Sequence, residues 1–154
     1  MAAEIDLLNA TDRPVLLGLA TPDWAAACKK TLEDLGYKVH CADSHSDFMS
    51  RFVQIQYPLL ILEESFDAAP PQDNQTLKAL QAMPMGQRRH VVSVLVGKSF
   101  QTLHPMQAFQ QSVHAVVNAG DLGKLPQIIQ KAVADHGLFY GVFRDSQLRL
   151  TQGK

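Results

Sequence analysis

Several residue types in this chain could do chemistry, and their spacing limits which of them do. His40, Cys41 and His45 carry nitrogen and sulfur donors of the kind that bind zinc. Neighbours on an extended strand point to opposite faces, so His40 and Cys41 are expected not to share an ion, and no metal site is expected. The two cysteines, Cys28 and Cys41, could form a redox pair or supply a thiol nucleophile. Two are too few for a disulfide scaffold, and both are expected to be reduced, small and buried. Gly97-Lys98-Ser99 matches the end of a phosphate-binding loop, but Ser93 stands where that loop needs its first glycine. Asp23, Ser93 and His114 show no spacing that argues for a nucleophile and its base. The expectation is no catalytic residue and no cofactor.

The elements that would position these residues follow from the apolar pattern. Val15–Ala20 is an apolar run of strand length, and Thr21-Pro22 offers an N-cap and a first helical residue. The spacing predicts a helix from Asp23 to about Leu35, stopped by Gly36. Tyr37–Ala42 reads as a second strand, and Phe48, Met49, Phe52 and Ile55 recur at helical spacing. Leu59-Leu60-Ile61-Leu62 is unbroken and apolar, as a parallel strand covered on both faces would be. A polar loop from Glu63 to Asn74 leads to a helix over 76–83. Val91–Val96 is a fourth strand, Thr102–Gln111 a fourth helix, and Val113–Val117 a fifth strand. From Leu122 the pattern is helical again.

Strands alternating with helices predict a doubly wound, five-stranded parallel sheet of the flavodoxin-like α/β class, with an extended last helix. Ligands in such sheets sit beyond the C-terminal ends of the strands. That rule singles out Leu19–Thr21, Glu63–Glu64, Val96–Lys98 and Asn118–Gly120.

Thr21-Pro22-Asp23 through Leu35-Gly36-Tyr37, together with Tyr57-Pro58-Leu59-Leu60-Ile61-Leu62-Glu63, resembles the receiver domain of two-component response regulators. The resemblance covers about residues 14–136, with 1–13 as a leader and 137–154 as a C-terminal helical extension. Arg88-Arg89, Met106-Gln107-Ala108-Phe109 and Val116-Val117-Asn118 are similar to degenerate receivers that follow a zinc ribbon, although this chain has no ribbon. The resemblance implies an aspartate phosphoacceptor, an acidic pair holding Mg²⁺, a hydroxyl after the fourth strand and a lysine after the fifth. Here the acidic pair falls on Leu19 and Ala20, with Thr21 next. The acceptor falls on Glu63 or Glu64, the hydroxyl on Val96 with Ser99 near, and the lysine on Asn118 or Ala119. A pseudo-receiver that cannot be phosphorylated is implied. Two readings of Glu63 stay open: a fixed mimic of the phosphorylated state, or a solvated acid of little consequence to stability.

The tail carries Phe139, Tyr140 and Phe143 in a chain that is only 7% aromatic. Clustered aromatics beside Arg144 suit either an interface or this chain's own core. With 14 basic against 15 acidic residues there is no field for nucleic acid. No run approaches a membrane span, and the acidic N-terminus is unlike a signal peptide, so a cytoplasmic address is expected. The function expected is signalling by protein–protein interaction, with a partner of unknown identity and a possible homodimer. The alternative is a small-molecule sensor or enzyme with its site at the strand ends near Thr21, Glu63 and Asn118.

Overall fold

The computed structural model describes residues 12–68 and 73–151, with the side chains of residues 68, 85, 139–145, 147 and 151 outside that description. Residues 1–11 of the leader also lie outside the described residues. Five parallel strands form one sheet: β1 (Arg13–Gly18), β2 (Tyr37–Cys41), β3 (Leu59–Glu63), β4 (Val92–Gly97) and β5 (Ala115–Asn118). Their order is β2-β1-β3-β4-β5, the flavodoxin-like order expected of a doubly wound sheet.

Every residue of β3 is buried, as its unbroken apolar sequence requires. Side chains alternate across the sheet and divide the core in two. Val15, Leu17, Ile61, Val94, Val96 and Val117 pack on Cys28 and Leu32 of helix α1 (Pro22–Asp34) and on Leu125, Ile128, Ile129 and Ala132 of α6 (Leu125–Thr151). Leu16, Leu60, Leu62, Leu95 and Val116 pack on Phe48 of α2 (His45–Gln54), Leu77 and Leu80 of α3 (Gln75–Gln81) and Ala108 of α5 (Pro105–Gln111). Under the second core, buried His40 and Tyr57 share a 2.7 Å hydrogen bond.

Helix ends follow local chemistry. Gly36 adopts φ +90 just past α1, a conformation that costs glycine little. Ser44 and Asn74 cap α2 and α3 by accepting the N–H of Asp47 and Leu77. Thr21 stands at the N-cap of α1, but its side chain makes no capping bond. The expected fourth helix starts three residues later than Thr102, because His104 caps it and Pro105 takes the first helical position. A short helix α4 (Met85–Arg88) was not anticipated. A 3-10 turn (Ala119–Lys124) precedes α6, which begins at Leu125 and not at Leu122.

The 27 residues of α6 make it about 40 Å long at 1.5 Å per residue. It is buried as far as Ala132, whereas Leu138 and Leu150 are each 77% exposed. No helix among the described residues is long and apolar enough to cross a membrane.

His114, at the entry to β5, stacks edge-on against His136 of α6 with ring centroids 5.0 Å apart. Its Nδ1 accepts the Ser93 N–H at 3.0 Å, so a second ring proton would sit where a donor already points. The residue keeps an exposed edge, yet packing of the ring, then His136 and Arg88, push its pKa down from 6.5 to about 4. The native state then holds fewer protons at this site than the unfolded chain between those values, and stability at this site falls as pH drops from 6.5 toward 4. Urea melts across that window should show a flatter pH slope in His114→Gln than in the parent. An unchanged slope would mean that His114 titrates normally.

Candidate functional site

At the C-terminal ends of the strands, the β1–α1 connection contributes Leu19, Ala20 and Thr21. None carries a carboxylate, and Leu19 packs against the α1/α6 core. Thr21 contributes its backbone, whose N–H donates to Glu63 Oε1 at 3.2 Å.

Glu63 and Glu64 are adjacent, so their side chains leave the end of β3 in different directions. Glu63 is only 3% exposed. The reading of Glu63 as a solvated acid is therefore corrected: as the last residue of a strand covered on both faces, it is enclosed by the β1–α1 connection. Glu64 is half-buried and lies just beyond β3, where its N–H donates to Val96 C=O at 2.9 Å. Its carboxylate accepts the Lys98 N–H at 3.0 Å and the Ser99 hydroxyl at 2.6 Å. The Asn74 amide reaches under both acids, donating to their carbonyls at 3.0 and 3.1 Å.

Val96 is fully buried and belongs to the α1/α6 core, so the hydroxyl chemistry at this end of β4 belongs to Ser99. Gly97 matters by what it lacks, because a Cβ there would collide with the Glu64 carboxyl group. Asn118, at the end of β5, donates through Nδ2 to Phe100 C=O at 2.8 Å and to Lys98 C=O at 3.4 Å. Its Oδ1 accepts the Gly120 N–H at 2.8 Å. Its backbone N–H donates to Thr102 Oγ1, and the Thr102 hydroxyl donates to Asp121. Ala119 follows, half-buried and without a polar side chain.

The structure thus brings Glu64 and Asn118 against the loop that carries Lys98 and Ser99, and joins Glu63 to Thr21. Sequence reasoning missed Asn74, Thr102 and Asp121. Asn74 had a local signal as a helix cap. Thr102 and Asp121 are 19 residues apart, and no short motif links them.

The other candidates separate. His40 is buried on one side of β2 and Cys41 is exposed on the other, while His45 Nδ1 bonds Thr76 Oγ1 at 2.8 Å. Cys28 is buried, and that burial, with Cys41 nearby, pushes its thiol up to about 12. Cys41 is exposed, contrary to expectation, because β2 is the outermost strand on that side of the sheet. Partial burial still raises its pKa, which disfavours thiolate chemistry at both. Ser93 Oγ does lie 3.3 Å from His114 Nδ1, a pairing that sequence spacing hid. It sits at the start of β4, at the far end of the sheet from the acids. Gly97-Lys98-Ser99 leads into a loop, with α5 starting only at Pro105. The backbone of Phe139, Tyr140 and Phe143 lies in α6, and their side chains lie outside the described residues.

A cleft of about 400 Å³ opens beside Glu64, between α3 and α5, lined by Asn74, Lys78, Gln81, Ser99 and Phe100 among others. Several of its polar groups already bond one another: Gln81 Nε2 donates to Gln111 C=O at 2.9 Å, and Asn74 and Glu64 are engaged as above.

Glu63→Ala should leave the Thr21 N–H without its acceptor and cost about 2 kcal/mol in a urea melt, whereas Glu63→Gln keeps an acceptor oxygen and should cost clearly less. Equal losses from both would show that charge, and not the hydrogen bond, is what the site needs.

No protein-family model matches the chain, and no curated protein matches it in sequence. Solved structures do match. NtrX from Brucella abortus superposes with a TM-score of 0.69 at 14% identity, over 93% of this chain but 30% of its own. The CheY-like response regulator receiver domain from Methanospirillum hungatei gives 0.64 at 12% identity, over 82% of this chain and 97% of its own. The CheY-like receiver domain from Methylobacillus flagellatus gives 0.60 at 17% identity, over 79% and 99%. The chain spans less than a third of the NtrX chain and nearly all of the two receiver domains. It has the receiver fold.

Proposed function

We propose that this chain is a receiver-like signalling module that is not phosphorylated and acts by binding another protein. The observation that carries the reading is the state of its strand-end carboxylate. Glu64, one of the two positions where the resemblance puts the phosphoacceptor, already has its oxygens bound by Lys98 N–H and Ser99 O–H of its own chain. The β1–α1 connection, which lies against Glu63, offers Leu19, Ala20 and Thr21, none of which supplies the carboxylate oxygens that Mg²⁺ prefers. The lysine position holds Asn118, spent on the carbonyls of Lys98 and Phe100. On this reading Glu64 stands where a phosphoryl group would be read, and no turnover is expected of the site.

The partner surface we assign to the exposed part of α6, the partner being a second copy of this chain. Leu138 and Leu150 are exposed there, and exposed apolar surface favours a cover. A two-fold pair of such helices is the simplest cover. The alternative, a small-molecule sensor or enzyme, draws support from the cleft beside Glu64. A metabolite ordered in that cleft would reverse the preference.

Incubation with acetyl phosphate and Mg²⁺ should leave the intact mass unchanged. A stoichiometric, acid-stable and base-labile adduct on Glu63, Glu64 or any aspartate would overturn the reading. For the partner, sedimentation equilibrium should show a dimer at micromolar concentration, and Leu138→Asp with Leu150→Asp should shift it to monomer. A parent chain that stays monomeric to high micromolar concentration would remove self-association through α6.

A further inference from the structure

The loop between β4 and α5 is gripped from two sides by side chains that no input can remove. From β3, Glu64 holds the Lys98 N–H and the Ser99 hydroxyl at 3.0 and 2.6 Å. From β5, Asn118 holds the carbonyls of Lys98 and Phe100. Lys98 is therefore held by its N–H on one side and its C=O on the other. Four residues further, Thr102 receives the Asn118 N–H and ties it to Asp121, and Leu103 N–H donates to Val116 C=O at 2.9 Å. Leu103 sits at φ +60 to make that bond, a left-handed conformation that costs about 1 kcal/mol and persists only where neighbours enforce it. The loop then delivers α5, whose Met106 and Phe109 are 58% and 77% exposed.

We infer that Glu64 and Asn118 form a permanent clamp that fixes the β4–α5 loop, and with it α5, in one position, replacing a ligand-dependent switch by covalently resident groups. A removable phosphoryl group would give the loop two states, whereas a side chain gives it one. The inference deepens the reading of an unphosphorylated module, and its geometry stands apart from that reading. The residues from Ser99 to Gly120 include no Asp, Glu, Lys or Arg, so α5 and its entry loop have few charges with which to be moved electrostatically. The clamp thus makes the module's output constant and leaves its amount or its location to be regulated.

Amide hydrogen exchange and nitrogen relaxation dispersion on the full chain test this. In the parent, the Lys98 and Leu103 amides should be protected and α5 should show no exchange on the microsecond-to-millisecond scale. Gly97→Ala, which drives the Glu64 carboxyl group off the loop, and Asn118→Ala should each speed exchange at Lys98 and Leu103 about tenfold or more, leaving Ile61 and Val94 unchanged. Should Asn118→Ala fail to fold, Ser99→Ala removes a single hydroxyl and carries the same readout. A parent in which α5 already samples two states, or variants that leave Lys98 and Leu103 as slow as before, would overturn the clamp. Acetyl phosphate with Mg²⁺ should leave the α5 resonances in place. A shift without a phosphoryl adduct overturns the clamp alone, and a shift with one overturns the proposed function too.

Discussion

The central strand β3 must be dry on both faces, and much of the rest of the molecule answers that demand. A parallel strand cannot be joined to its neighbour by a tight turn, so each connection crosses over the sheet, and each crossing lays a helix on one face or the other. Helices α1 and α6 cover one side and α2, α3 and α5 the other. The same demand brings the loops after β1, β3, β4 and β5 to one end of the sheet. The acids are held there because β3 ends in Glu63 with its back to the core.

Most of this architecture was legible in the sequence because burial on both faces writes long apolar runs, and runs such as Leu59–Leu62 survive any ambiguity of period. Helix starts were less legible. His104 is a rare cap, and Thr21, an ordinary one, gives its backbone to Glu63 and leaves its hydroxyl out of the capping role. The site was legible in its positions and not in its bonds. Sequence puts the acceptor position on Glu63, or on Glu64 if the register slips by one. Only the strand register, which sets Glu63 against Val96, decides that the first acid turns toward β1 and the second toward the loop after β4. The partnership of Thr102 with Asp121, like that of Ser93 with His114, depends on the crossover that brings β4 beside β5.

Glu64 and Asn118 use their polar atoms within their own chain. The Glu64 carboxylate reaches the Ser99 hydroxyl directly. The Asn118 carboxamide donates to carbonyls and accepts from Gly120 at once, which an ammonium, having only donors, could not do. Both side chains are thus satisfied by internal bonds. The corresponding requirement appears at Gly97, where the bare backbone makes room for the acid.

The bonds that Thr102 and Leu103 make to β5 also bear on how this protein can meet others. β5 is the outermost strand on its side, and an outermost strand ordinarily offers a row of unpaired amides and carbonyls on which a foreign strand can assemble. Here the Val116 carbonyl and the Asn118 amide are already occupied by the chain's own loop. Extension of the sheet from this border would require peeling that loop away. Recognition on this flank must therefore be read from side chains, and the border is protected against the templated stacking that leads to fibres.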